Sequence, residues 1–356
     1  MAIFHLSIKH IFRSYGVSAV ENVATITGTC LVDGRIKATI DKSKLEADVF
    51  WETLSPEGSG IPKDDFSIWN KLENFEDEYA TQRYKNLGNR QRYINSARIA
   101  HAYLFSIPKE LTRNQSIDLI RGIVKERFIN KGMVATFAVI FKKGNPHTRI
   151  QVSHRAIDNK QNFSTVKVTR DLVSPNGMWE TRKFFADKTN SFFESLGMTE
   201  RVDHRSYAER GIDLIPTKHR GPQVSKLDRL GKTSRISKRN EEIFNENKKR
   251  VIQNPKIILQ ELDSMGSLLD ENEIISLVKK RLDEDSGEIF KRVFSSVMQE
   301  LKDRGQYLEG GIVDTDKLLH PPIEKSFPRG NDLAETPPKK KSWGTWWKGF
   351  GRKHSN

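Results

Sequence analysis

Cysteine is nearly absent from this 356-residue chain: Cys30 stands alone, which excludes an intramolecular disulfide and fits a reducing compartment. Long apolar runs are missing too. No stretch approaches the roughly 20 residues needed to span a bilayer. Met1–Phe12 is broken by His5, Lys9 and His10 and lacks a small-residue cleavage site, so it reads as a strand rather than a secretory signal. A cytoplasmic location is therefore expected. Acidic residues are in deficit: 60 Lys and Arg against 46 Asp and Glu leave a net charge of +14, which favours a polyanionic partner, either nucleic acid or an anionic membrane surface. A nucleotide-binding loop is also lacking, because Gly231-Lys232-Thr233 has Lys226 where the required earlier glycine would stand.

What is present reads as α+β. Phe4, Leu6 and Ile8 alternate with polar residues over Ala2–Ile11, the period-2 signature of a strand with one buried face. Further strands are expected at Glu46–Leu54, Ile99–Ile107, Met133–Lys142 and Arg149–Arg155, the last two joined through Gly144, Asn145 and Pro146. Helices are expected at Ser18–Gly28, Asp64–Asn74, Asp77–Arg92 and Asn176–Leu196. Another follows Thr112, which with Gln115 forms a capping box ahead of Ile117, Ile120, Val124 and Phe128. After Pro222 the segment Ser225–Lys249 is very basic and poor in large apolar groups, as for an exposed helix or linker, and Ile257–Leu301 regains helical spacing. Past Gly305, prolines 321, 322, 328, 337 and 338 argue against regular structure. Three regions are expected: 1–222, a basic linker and helical appendage at 223–305, and a disordered, proline-containing basic tail at 306–356.

Several blocks in the first region resemble, in order, the MobA/MobL family of conjugative relaxases, including the N-terminal part of TraA proteins. They are Met1-Ala2-Ile3-Phe4-His5-Leu6-Ser7, Ser18-Ala19-Val20 with Gly28, Ile107-Pro108-Lys109-Glu110-Leu111-Thr112, Asn130-Lys131-Gly132-Met133-Val134-Ala135 and Gly144-Asn145-Pro146-His147. Asp203-His204-Arg205-Ser206-Tyr207, Gly211-Ile212-Asp213 and Pro216-Thr217-Lys218-His219 complete the set. The resemblance implies a relaxase-like central antiparallel sheet flanked by helices. It also implies site-specific nicking of plasmid DNA at a transfer origin, with a tyrosine nucleophile and a divalent ion held by histidines.

The chain departs from that pattern where the chemistry resides. Thr25 occupies the expected tyrosine position. The family's Asn-Pro-His-Ala-His becomes Asn145-Pro146-His147-Thr148-Arg149, Ile140 stands where a preceding-strand histidine is expected, and the often acidic positions before Ile107 fall on Ala102 and Leu104. Of the family's three imidazoles only His147 remains, too few to hold a catalytic ion. No catalytic residue is therefore assigned and no cofactor is expected, with Mg²⁺ or Mn²⁺ required if nicking does occur. Arg149 is a permanent cation suited to a phosphate, or simply an edge-strand charge. Lys142, Lys143, His147, Arg149 and Arg155 are the candidate nucleic-acid contacts. Arg83, Lys85, Arg90 and Arg92 offer a second basic face.

The expected function is plasmid mobilisation by a member of this family that binds transfer-origin DNA, single-stranded or nicked, without cutting it. One alternative is an active relaxase with a substitute nucleophile, for which Tyr15 is a better candidate than Tyr79, Tyr84 or Tyr93. Another is a type IV secreted or membrane-associated module built on the same fold. Lys339–Lys341, Lys348, Arg352 and Lys353 are interleaved with Trp343, Trp346, Trp347 and Phe350, which suits single-stranded bases, an anionic membrane or a secretion signal. A type IV coupling protein or a relaxosome accessory protein is a further expected partner.

Overall fold

Leu6–Phe12 forms strand β1. A 3-10 turn at Arg13–Tyr15 leads into helix α1, Ala19–Thr27, whose first turn is capped by the Ser18 hydroxyl accepting from the Glu21 amide. Gly28, at φ 68°, ends α1 in the left-handed region that a side chain would strain. The computed structural model describes residues 4–313 apart from 45–47, 143, 171, 173, 199, 264–268, 284–286, 306 and 309–311. Lys143 and the basic aromatic tail thus lie outside the described residues.

A small hairpin, β2 Cys30–Asp33 and β3 Ala38–Asp41, precedes β4, Val49–Leu54. Two helices follow, α2 Ser67–Arg83 and α3 Leu87–Ser96, where sequence spacing had suggested breaks at different points. The order continues with β5 Arg98–Ser106, α4 Arg113–Arg127, β6 Met133–Ile140, β7 His147–Ile157, β8 Phe163–Lys167 and α5 Pro175–Ser195. The capping box on α4 forms as expected, with Thr112 and Gln115 each bonding the other's backbone.

The main sheet runs β1-β5-β7-β6-β4, every neighbouring pair antiparallel, with β8 paired to β7. It is the central antiparallel sheet flanked by helices that the family resemblance implied. Register decides which side chains share a face. Phe105, Thr148 and Val139 stand in one cross-strand row, and Tyr103, Ile150 and Phe137 in the next. These rows turn toward α4 and α5, where Ile120, Val124 and Phe185 close the larger core. Intervening rows face α1 and α2. There the indole of Trp69 is buried and donates to Thr136 Oγ1 (2.8 Å), which also contacts Thr53 Oγ1 (2.9 Å).

Two ion networks tie α2 to the strands. Arg13 bonds Glu73 and Asp77, while Arg155 bonds Glu76. Burial alone would raise the Glu76 carboxyl, but hydrogen bonds from Arg155 and the charge of Lys167 outweigh it and hold the group below the usual carboxylate range.

The C-terminal helices are α6 Gly221–Arg229, α7 Arg235–Gln253, α8 Lys256–Asp263, α9 Glu271–Leu282 and α10 Gly287–Asp303. Short strands β9 Leu269–Asp270, β10 Tyr307–Leu308 and β11 Ile312–Val313 pair with one another. Their core, built on Val251, Ile258, Val278 and Val297, includes Ile212 and Leu214, so it begins before residue 222. The segment around α7 is more than an exposed linker. Asn240, Ile243, Asn247 and Val251 are buried along one stripe. The Asn247 amide both accepts from the Ile215 N–H and donates to the Ile215 carbonyl, and Asn240 does the same at Lys218. Seven helical residues rise about 10.5 Å and three extended residues span about 10 Å, so the two amides match the chain they hold. No helix among the described residues is long and apolar enough to cross a membrane.

Candidate functional site

The α1-facing side of the sheet carries the positions singled out by resemblance. Ser106, His147, Ile140 and Val49 form one row across β5, β7, β6 and β4. Leu104, Arg149, Ala138 and Trp51 form the next, and Ala102, Gln151, Thr136 and Thr53 the third. The Gln151 amide donates to the Ala19 carbonyl (3.0 Å) and accepts from Asn22 (2.6 Å), which seats α1 on these rows. Thr25, three residues beyond Asn22, lies on the same side of the helix. Thr25, Ile140, His147, Arg149, Ala102 and Leu104 are thus brought to one face.

Few ligands for a divalent cation stand in these rows. His147 is the one imidazole in these rows, and its Nδ1 donates to the Asn145 carbonyl (3.0 Å), which as an acceptor fixes the proton on that nitrogen. The guanidinium of Arg149 stands in the next row, where it repels a metal ion. Thr25 donates its hydroxyl proton to the Glu21 carbonyl (2.8 Å) within its own helix, a bond that engages the proton a nucleophile must lose.

Tyr15 lies elsewhere. It follows Phe12, which pairs with Arg98 at one end of β5, whereas His147 pairs with Ser106 at the other. Eight residues of strand separate those ends, about 27 Å. Arg155 is also remote from the hairpin, and it is fully buried. Its Nε contacts Glu76 Oε1 at 2.7 Å, its Nη2 reaches Glu76 Oε2 at 3.0 Å, and its guanidinium lies over the Tyr79 ring at 4.5 Å. It is therefore withdrawn from the expected nucleic-acid contacts: its donors are committed and solvent is excluded. Lys142 is exposed beside the hairpin.

Two histidines that spacing alone did not bring together meet at the His147 end. The Ser106 N–H donates to the His5 carbonyl (3.0 Å), and the His5 and His219 rings stack at 5.7 Å with 12° between planes. Burial first, then the nearby His219 and Arg182, lower the His5 pKa. The signal was present in the sequence, since both belong to the blocks that carry the family resemblance.

Three further histidines gather on the opposite face of the sheet. His10 and His101 are direct cross-strand partners, with their Nδ1 atoms 2.9 Å apart. The His154 ring lies 4.1 Å from that of His101, and its Nδ1 contacts the Thr169 hydroxyl. His101 shares its side of β5 with Tyr103 and Phe105, which belong to the α4/α5 core, so this group is separate from the rows under α1. Burial lowers the pKa of His10 to about 4 and of His101 to about 2, and pushes His154 far below the ordinary range, so all three are neutral at physiological pH.

Comparison with known proteins finds relatives across most of the chain. The MobA/MobL family model matches residues 17–230. The conjugal transfer protein TraA of Agrobacterium fabrum is 27% identical over 324 residues, 80% of this chain and 28% of that protein. The probable mobilization protein MobA of Bifidobacterium longum is 28% identical over 286 residues, 69% of this chain and 48% of that protein. The chain thus spans between a quarter and a half of the length of these relatives. A solved structure described as the molecular basis of vancomycin resistance transfer in Staphylococcus aureus is 23% identical, covering 58% of this chain and 100% of that one, with a TM-score of 0.48.

Proposed function

Because this chain belongs to the MobA/MobL family of plasmid mobilisation proteins, we propose that it binds transfer-origin DNA, single-stranded or nicked, and does not cut it. The observation that supports this reading is Arg149 in the row beside His147, where a fixed cation replaces a metal ligand. A guanidinium there meets a phosphate with two parallel hydrogen bonds and needs no ion to do so. Lys142 and His147 add contacts at the same end of the sheet, and His5 and His219 stand close by. Contacts of this kind give affinity that falls with salt and reads no sequence.

Cleavage needs a nucleophile and ligands for an ion, and the reading rests on Thr25 and Arg149 standing where the family pattern has a tyrosine and an imidazole. Tyr15 would have to cross most of the length of β5 to reach His147. The test uses purified full-length chain and supercoiled plasmid carrying its own transfer origin, with Mg²⁺ or Mn²⁺. Retarded DNA without nicked circles or a covalent adduct is the expected result. A site-specific nick bearing a 5′ protein adduct overturns the proposal. A coupling protein or relaxosome accessory protein remains the proposed protein partner. Deletion of Trp343–Asn356 separates DNA binding from export or membrane contact.

A further inference from the structure

We infer that His10, His101 and His154 form a second site, on the face of the sheet away from α1, which takes a zinc-like transition-metal ion. Each residue offers one nitrogen, and the three nitrogens lie within 4.8 Å of one another. In a tetrahedral zinc site with bonds of about 2.0–2.1 Å, ligand nitrogens sit roughly 3.4 Å apart. Side-chain rotations of less than about an ångström per ring close that gap. Two neighbours carry a buried nitrogen with no hydrogen-bond partner: His101 Nε2 and His154 Nε2. Leaving such groups unmet costs free energy, and a coordinated ion satisfies one nitrogen directly.

The surroundings resemble those of metal-bound histidine. His154 contacts the Thr169 hydroxyl through Nδ1, an arrangement that fixes the ring, and in the tautomer in which Nδ1 donates to that hydroxyl Nε2 is the acceptor. The backbone supplies a rigid frame: β1, β5 and β7 are adjacent strands, and His10 lies directly across from His101. With ligands on three strands, the ion would tie the sheet's edge strand β1 to its interior.

Ion class follows from the donors. Three imidazoles with no carboxylate among them favour Zn²⁺, Co²⁺ or Ni²⁺ and offer nothing to Mg²⁺ or Mn²⁺, which prefer oxygen. Arg98 and Lys167 are charged groups acting on His101 and His154, so their charge opposes the ion and an anion as the remaining ligand offsets it. His10 is only partly buried, which leaves a route for the ion to enter.

The experiment is metal binding by the full-length, tag-free chain after chelator treatment. Zn²⁺ is counted by elemental analysis after dialysis, and Co²⁺ is titrated while its visible absorption is followed. One ion per chain is expected, with the intense absorption of tetrahedral nitrogen coordination, and a thermal midpoint about 2–5 °C higher with saturating Zn²⁺. His154→Ala is expected to abolish binding. His10→Gln, at an edge-strand position that keeps its melting profile in chelator, is expected to weaken binding at least tenfold. His147→Ala is expected to leave metal binding as in the parent chain. Failure of the parent chain to bind Zn²⁺ or Co²⁺ overturns the inference. So does loss of binding in His147→Ala with retention in His10→Gln, or equal occupancy by Mn²⁺.

Discussion

Replacing Arg155 and Arg149 in turn separates the structural role of Arg155 from the DNA contact proposed for Arg149. Arg155 and Glu76 have fully buried side chains, so Arg155→Met leaves a carboxylate in a dry site. Stranding one partner of a buried pair costs about 3–5 kcal/mol. Lys167, whose ammonium sits 3.9 Å from Glu76, offsets part of this and places the expectation at about 3 kcal/mol. For a domain of this size that loss lowers the thermal midpoint by about 6–12 °C. Loss of the contacts with Tyr79 and Phe75, 4.5 and 5.0 Å from the guanidinium, acts in the same direction. DNA affinity measured well below the midpoint should be unchanged. Arg149→Met should do the reverse: the midpoint moves by no more than about 2 °C, while affinity falls and the slope of log K against log salt shrinks by about 0.7–0.9 for one lost phosphate. Differential scanning fluorimetry and a fluorescence-anisotropy salt titration on the same preparations read both quantities. An Arg155→Met chain that melts like the parent yet binds DNA poorly would refute the placement of the two residues.

Acid sensitivity should track Glu76. Its folded-state pKa lies below the ordinary value of 4.5, so the stability it confers is complete above that pH and is lost as pH falls below it, and Glu76→Gln should flatten the acid limb of a denaturation series. Ile140→His with Arg149→His would, together with His147, place three imidazoles on the α1 face, and calorimetry should then detect one Zn²⁺ or Co²⁺ more than the parent chain binds; no additional ion would show that these rows cannot be rebuilt into a metal site. Thr136→Val leaves the buried Trp69 indole N–H without its acceptor and should cost about 1–3 kcal/mol in urea denaturation; an unchanged midpoint would count against that bond.

Much of the architecture was legible in local pattern. Alternation marks β1, the Thr112 capping box opens α4, and the turn residues before His147 separate β6 from β7. Strands β2, β3 and β8 escaped notice because, at four or five residues, they are too short for a period to stand out. Pairings across the sheet were out of reach. The Nδ1 contact of His10 and His101 joins residues 91 apart, and each reads alone as an ordinary strand histidine. Arg155 looked like a hairpin charge because its partner Glu76 lies 79 residues away. Around α7, abundant Lys, Arg and Glu masked a buried stripe whose polar members, Asn240 and Asn247, serve the backbone rather than solvent.

The two asparagines of α7 also bear on how the protein can be divided. A chain cut after Pro222, where composition changes, would keep every strand of the main sheet. It would lose the side-chain hydrogen bonds at Ile215 and Lys218, and it would bare Ile212 and Leu214 to water. His219 would then stack on His5 only as often as an untethered loop happened to bring it there. The helical bundle thus works as a template that holds one wall of the basic end of the sheet. Removing one residue between Asn240 and Asn247 would turn one amide away by about 100° and should loosen that wall as surely as removing the helix itself.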